Sequence, residues 1–156
     1  MKYLALLIFL SACAQGVLRQ DIDRELDMIV DWIAANSDLV RPTRARPHVV
    51  VTSNDELQRM AKSKMGQIGA LYDPVRNVIV FNEEWQAYKL RDRSFALHEV
   101  VHWMELNQPK TRFFLCNNQR EILAYKLQSM YLTSQGSSLL RETGLTHIMV
   151  KELTLC

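Results

Sequence analysis

The chain has 156 residues, enough for one domain with a real core, and its 48% hydrophobic and 23% charged residues are the proportions of a globular protein. The formal net charge of +2 is spread along the chain, with no basic cluster beyond the short RPTRARP at 41–47. That spread excludes the electrostatic footprint of a nucleic-acid binder and of a basic membrane-surface patch.

Met1-Lys2 followed by YLALLIFLSACA reads as the positive n-region and apolar h-region of an export signal, too short to span a bilayer as a helix. Its end reads two ways. Leu10-Ser11-Ala12-Cys13 resembles the lipobox of bacterial lipoproteins, which implies a lipidated Cys13 and attachment to a membrane. Ala12-Cys13-Ala14 also fits a small-x-small site for an ordinary signal peptidase, leaving Gln15 first. The expectation is a signal peptide at 1–14, a mature domain at 15–156, and export to the periplasm, the envelope or the medium. With Cys13 lipidated or removed, Cys116 and Cys156 form an even pair, which in an oxidising compartment predicts one disulfide.

Residues 21–36 place Ile22, Leu26, Ile29, Val30, Ile33 and Ala34 at helical spacing, with Asp21 or Asp23 as cap. The two-proline turn RPTRARP follows, then a strand in HVVVTS opened by a surface His48. Ser53 or Asn54 starts a second helix running to about Lys64. QIGALYD and VIVFN flank a turn bearing Pro74 and Asn77, which predicts a β-hairpin. Residues 83–90 carry no clear pattern. The helix containing LHEVVHW is expected to begin near Asp92 or Ser94 and to stop before Pro109. QREILAYKLQSMYL forms the next helix, capped by Asn117 or Asn118. Beyond Gly136 a short helix and a strand-like IMVKELTL are expected. The order predicts an α+β fold: one small domain whose mixed or mostly antiparallel sheet packs on the LHEVVHW helix and the one after it.

LHEVVHW sets three polar groups in a helix that is otherwise apolar on nearly every side, and buried polar groups need partners. His98 and His102 stand at i and i+4, on one face with Cβ atoms about 5–6 Å apart, so their imidazoles can converge on one zinc ion. Glu99 can then take a proton from a zinc-activated water. The bland alternative is two core histidines satisfied by carbonyls, with Glu99 at the surface. A catalytic zinc keeps three protein ligands and an open position. The metzincin continuation needs Gly and His where Glu105 and Gln108 stand, so it fails. Glu121, after 18 intervening residues, is the other candidate third ligand. Read without a metal, it sits three residues after Asn118 and completes a capping-box-like arrangement. Tyr125, one turn beyond it, could donate to an oxyanion, and His147 could do so from the tail.

His98-Glu99-x-x-His102, 18 residues, then Glu121 in Glu-x-x-Ala resembles the gluzincin metallopeptidases, including zinc aminopeptidases with that interval. The resemblance covers about residues 67–131, and the chain is most similar to the very short minigluzincins and to small uncharacterised bacterial proteins with the same two motifs. It implies a zincin-like domain that hydrolyses peptide bonds in a protein or peptide substrate as a monomer. His98, His102 and Glu121 would be the Zn2+ ligands and Glu99 the general base. The hairpin looks like the zincin substrate-pairing edge, with strand 77–82 expected outermost. The rival is a non-catalytic envelope lipoprotein whose zinc site holds the fold or a partner. A fourth ligand, for instance His147 or Glu105, would mark it.

Overall fold

The computed structural model describes residues 22–61, 68–109, 114, 116 and 118–156. The expected export signal at 1–14, with Cys13, and Asp21, Lys64 and Asn117 lie outside the described residues. The first helix, α1, spans 22–36 and buries Ile22, Leu26, Ile29, Val30 and Ile33. Ala34 is exposed, contrary to expectation. At 100° per residue it stands about 40° beyond Val30, the edge of the buried stripe. The basic turn is spent on α1: Arg46 pairs with Asp23 at 2.9 Å and Asp27 at 3.2 Å, and Arg41 with Asp31.

Strand β1 is His48–Thr52, with His48 exposed as expected. Helix α2, Asn54–Ala61, starts on Ser53, whose Oγ accepts from the Glu56 amide. Strands β2, Ala70–Asp73, and β3, Val78–Asn82, form the hairpin. Asp73 Oδ1 accepts from the Val75 and Arg76 amides, and Asn77 takes φ 53° to close the turn. The sheet order is β1-β3-β2, parallel between β1 and β3 and antiparallel between β3 and β2. This corrects the expected edge. Strand 77–82 is central, because its near-continuous apolar run VIVF is buried along its length. Among the described residues the hairpin's free edge belongs to β2, which alternates buried and half-buried residues.

Helix α3, Leu90–Leu106, is capped backbone-wise at Lys89 rather than by Asp92 or Ser94. Asp92 instead looks back into the preceding turn, where its Oδ2 accepts from the Gln86 amide and its carbonyl from Trp85 Nε1. Those bonds order residues 83–90, with Trp85 buried against Phe81. Helix α4, Asn118–Ser134, packs along α3, and Tyr131 meets Trp32 of α1 edge-on at 5.2 Å between ring centroids. Gly136, at φ 74°, ends α4.

The tail holds two helices, α5 at Leu139–Thr143 and α6 at His147–Thr154, and the expected strand in IMVKELTL is absent. Ser138 and Thr146 cap them by accepting from Arg141 and Met149 amides, and Gly144 at φ 75° separates them. Those caps decide for helix over an ambiguous apolar run. Neither helix has a fully buried residue. A disulfide joins Cys116 to Cys156 with Cα atoms 5.8 Å apart, as the cysteine count predicted, and Asn118 Nδ2 donates to the Leu155 carbonyl. No helix among the described residues is long and apolar enough to cross a membrane. The fold is a small α+β domain.

Candidate metal centre

The core gathers residues of α1, the sheet, α3 and α4, and α3 gives it Ala96, Leu97, Val100, Val101 and Met104. That apolar packing fixes the rotation of α3 and turns His98, Glu99 and His102 toward α4 and the β2 edge. Residues 94, 98 and 102 then line one face at successive turns. On α4 the buried face runs through Ala124, Leu127, Gln128, Tyr131 and Leu132, and Glu121 lies one turn before it.

His98 Nε2 lies 2.9 Å from one Glu121 oxygen and His102 Nε2 3.2 Å from the other. Ligand atoms of these three residues all fall within 4.8 Å of one another, and the group could hold a metal ion. Both Glu121 oxygens face histidines. Asn118 spends its side chain on the tail.

The donor chemistry fits a cation. Two ring nitrogens face two carboxylate oxygens, and without a proton or a metal between them lone pairs oppose lone pairs. Tetrahedral zinc ligands at about 2.0–2.1 Å stand roughly 3.3 Å apart, close to these separations. Burial works against charging His98, but hydrogen bonding to Glu121 and the nearby Glu99 and Glu121 charges win and raise its pKa. Burial also opposes ionisation of Glu121, yet its bonds to His102 and His98 hold it well below the usual carboxylate range.

Glu99 is placed differently. Its Oε2 accepts from the Tyr72 amide of β2 at 2.8 Å, so the carboxylate bridges the histidine pair and the free sheet edge. Burial raises its proton affinity, only partly offset by His98, His102 and the Tyr72 amide. The Tyr125 ring packs edge-on against His98 at 4.6 Å, and burial, with Glu121 and Glu99 nearby, lifts its hydroxyl pKa far above the ordinary value.

These groups line a cleft of about 640 Å³. One wall is the β2 edge from Gly69 to Tyr72, and the tail contributes Leu145, Met149 and Leu153 opposite. His147 is exposed on a separate groove, and Glu105 is buried outside the ligand group, so neither joins it among the described residues.

Two participants escape a sequence reading. Gln128 Oε1 lies 3.1 Å from His98 Nδ1, and Gln128 Nε2 donates to Ser94 Oγ at 3.2 Å. The available signal was a lone amide on the apolar face of α4, two turns past Glu121. The Tyr72 contact uses a backbone amide, which leaves no trace in residue type. No curated protein and no solved structure matches the chain. A family model does, over residues 19–151, and the chain belongs to that family, described as Domain of unknown function (DUF6647).

Proposed function

We propose that this protein is a single-domain zinc peptidase of gluzincin type. The observation that carries it is the Glu99 carboxylate, set between a His-His-Glu donor group and the open edge of a sheet. His98, His102 and Glu121 would hold the ion. Bound zinc supplies Lewis acidity, polarising a carbonyl and activating water.

The chain's own residues do the rest. Glu99 accepts the proton of the attacking water, and the Tyr72 amide keeps its carboxylate aimed while burial makes it a stronger base than a free glutamate. Tyr125 stays protonated at any working pH and donates to the developing oxyanion. The Tyr72 amide points away from β3, so by strand alternation the Ala70 amide and carbonyl and the Tyr72 carbonyl face the same open edge. An extended peptide adds there as a further strand.

Three converging ligands, with neither His147 nor Glu105 among them, support a catalytic site over a closed structural one. Residues 15–156 form the working domain, with 1–14 the export signal. Cys13→Ser abolishes fatty-acid labelling if that signal is of the lipoprotein type.

The test is cleavage of a diverse peptide mixture by the mature chain, read by mass spectrometry. We expect cleavage with one zinc per chain, loss on chelation and recovery on adding zinc. One tightly held zinc with no cleavage of any peptide or unfolded protein would leave the binding-module reading.

A further inference from the structure

His98 makes a second set of contacts that zinc binding alone does not explain. Its Nδ1 faces Gln128 Oε1, and the orientation of that amide can be worked out from its other end. Ser94 Oγ donates its single proton to the Arg91 carbonyl at 2.7 Å. It can therefore only accept from Gln128, which must turn its NH2 to Ser94 and its oxygen to His98. All three side chains are nearly closed to water, at 0% exposure for Ser94, 1% for Gln128 and 8% for His98.

We infer that Gln128, oriented by Ser94, is a positioning residue. It holds the proton on His98 Nδ1 and so makes Nε2 the atom that ligates the metal. The spacing supports this. Ser94 stands one turn before His98 on α3, and Gln128 two turns after Glu121 on α4. Residues seven apart return to nearly the same face of a helix, about 10.5 Å along it. One face of α4 thereby grips both nitrogens of a single imidazole, Glu121 at Nε2 and Gln128 at Nδ1. A neutral amide suits this role, because it fixes the ring without adding a further negative charge beside Glu99 and Glu121. Partners of this kind typically change metal affinity about 10–100-fold.

The metal role rests on the zinc reading above, whereas the hydrogen bond does not, and two measurements separate them. In the metal-free protein, imidazole 15N NMR should show a His98 Nδ1–H proton protected from solvent exchange. Gln128→Leu should lose that protection, Gln128→Glu should keep it, and Ser94→Ala should weaken it by freeing the amide to turn. In zinc titration against a chromophoric chelator, Gln128→Leu should bind about 10–100-fold more weakly and Gln128→Glu should recover most of the loss. An unprotected Nδ1–H in the wild-type protein overturns the inference. So does a folded Gln128→Leu with wild-type zinc affinity. If Gln128→Leu does not fold, the Ser94→Ala and wild-type spectra decide. A wild-type protein that takes up no zinc sinks the peptidase reading, while the metal-free spectra still judge Gln128.

Discussion

Replacing Glu99 by glutamine exchanges one carboxylate oxygen for an amide nitrogen and keeps the outline of the side chain. The Tyr72 amide still finds an oxygen acceptor, so the link between α3 and the β2 edge survives. What disappears is the capacity to accept a proton and, in the ionised form, a negative charge beside His98 and His102. Because burial raises the pKa of this group, its ionised form is held against solvation, and the neutral amide relieves that opposition. The thermal midpoint is therefore expected to stay level or rise. Activity moves the other way. A general base contributes about 10²–10⁴-fold. At 1.36 kcal/mol per tenfold, that corresponds to about 3–5 kcal/mol of barrier. The assay pairs kcat on the best peptide with metal analysis of the same preparation. Zinc held near one per chain with kcat down by at least a hundredfold agrees with the argument. Zinc lost together with activity would make Glu99 a ligand, and zinc kept with kcat within tenfold would refute its role as base.

Glu121→Ala should lose zinc outright in equilibrium dialysis, since two histidines remain to hold it; wild-type occupancy would remove Glu121 from the site. Cys156→Ser releases a loop of 40-residue separation, worth about 4 kcal/mol in the chain-entropy model. Hydrogen exchange should quicken in α5 and α6 while α3 stays protected, and unchanged exchange in the tail would contradict this. Gly69→Ala would set a Cβ 2.1 Å from Phe95 Cδ2 on the cleft wall, so the ring must move. A loss of about 1–3 kcal/mol in denaturant titration is expected, and a neutral result would show the ring moves freely. Glu25 is buried, which raises its pKa despite Arg93 and Arg24. The folded state thus binds its proton more tightly, and stability falls as pH rises from the ordinary value of 4.5 through the raised one. Glu25→Gln should flatten that stretch of the stability–pH profile, and an unaltered slope would clear Glu25 of responsibility.

The His-His-Glu group that could hold a metal was legible because its logic is local. His98 and His102 are fixed relative to each other by one helical turn, and Glu121 needs only a second helix packed alongside. The identity of the edge strand was not local. Either arm of the hairpin could lie outermost until β1 paired with β3, and only the longer apolar run of Val78–Phe81 hinted at the answer. Asp92 and Ser94 look like caps in sequence because short polar side chains favour helix starts. In the fold they serve Gln86 and Gln128, partners that exist only once the chain has closed. The tail misled because IMVKELTL suits a strand and a helix about equally, and Thr146 settles it through one side-chain cap.

Helices α5 and α6 form a cleft wall without a buried residue of their own, fastened near the start of α4 by a covalent bond. Such a wall can be rewritten cheaply. Substitutions at Leu145, Met149 or Leu153 should alter what the cleft admits without disturbing the packed face of α3 that aims His98, Glu99 and His102. The molecule thus divides its duties between a packed core, where changes are felt through many neighbours, and a short strapped-on tail freer to diversify. Laboratory selection for altered ligand preference in the cleft should begin in the strap.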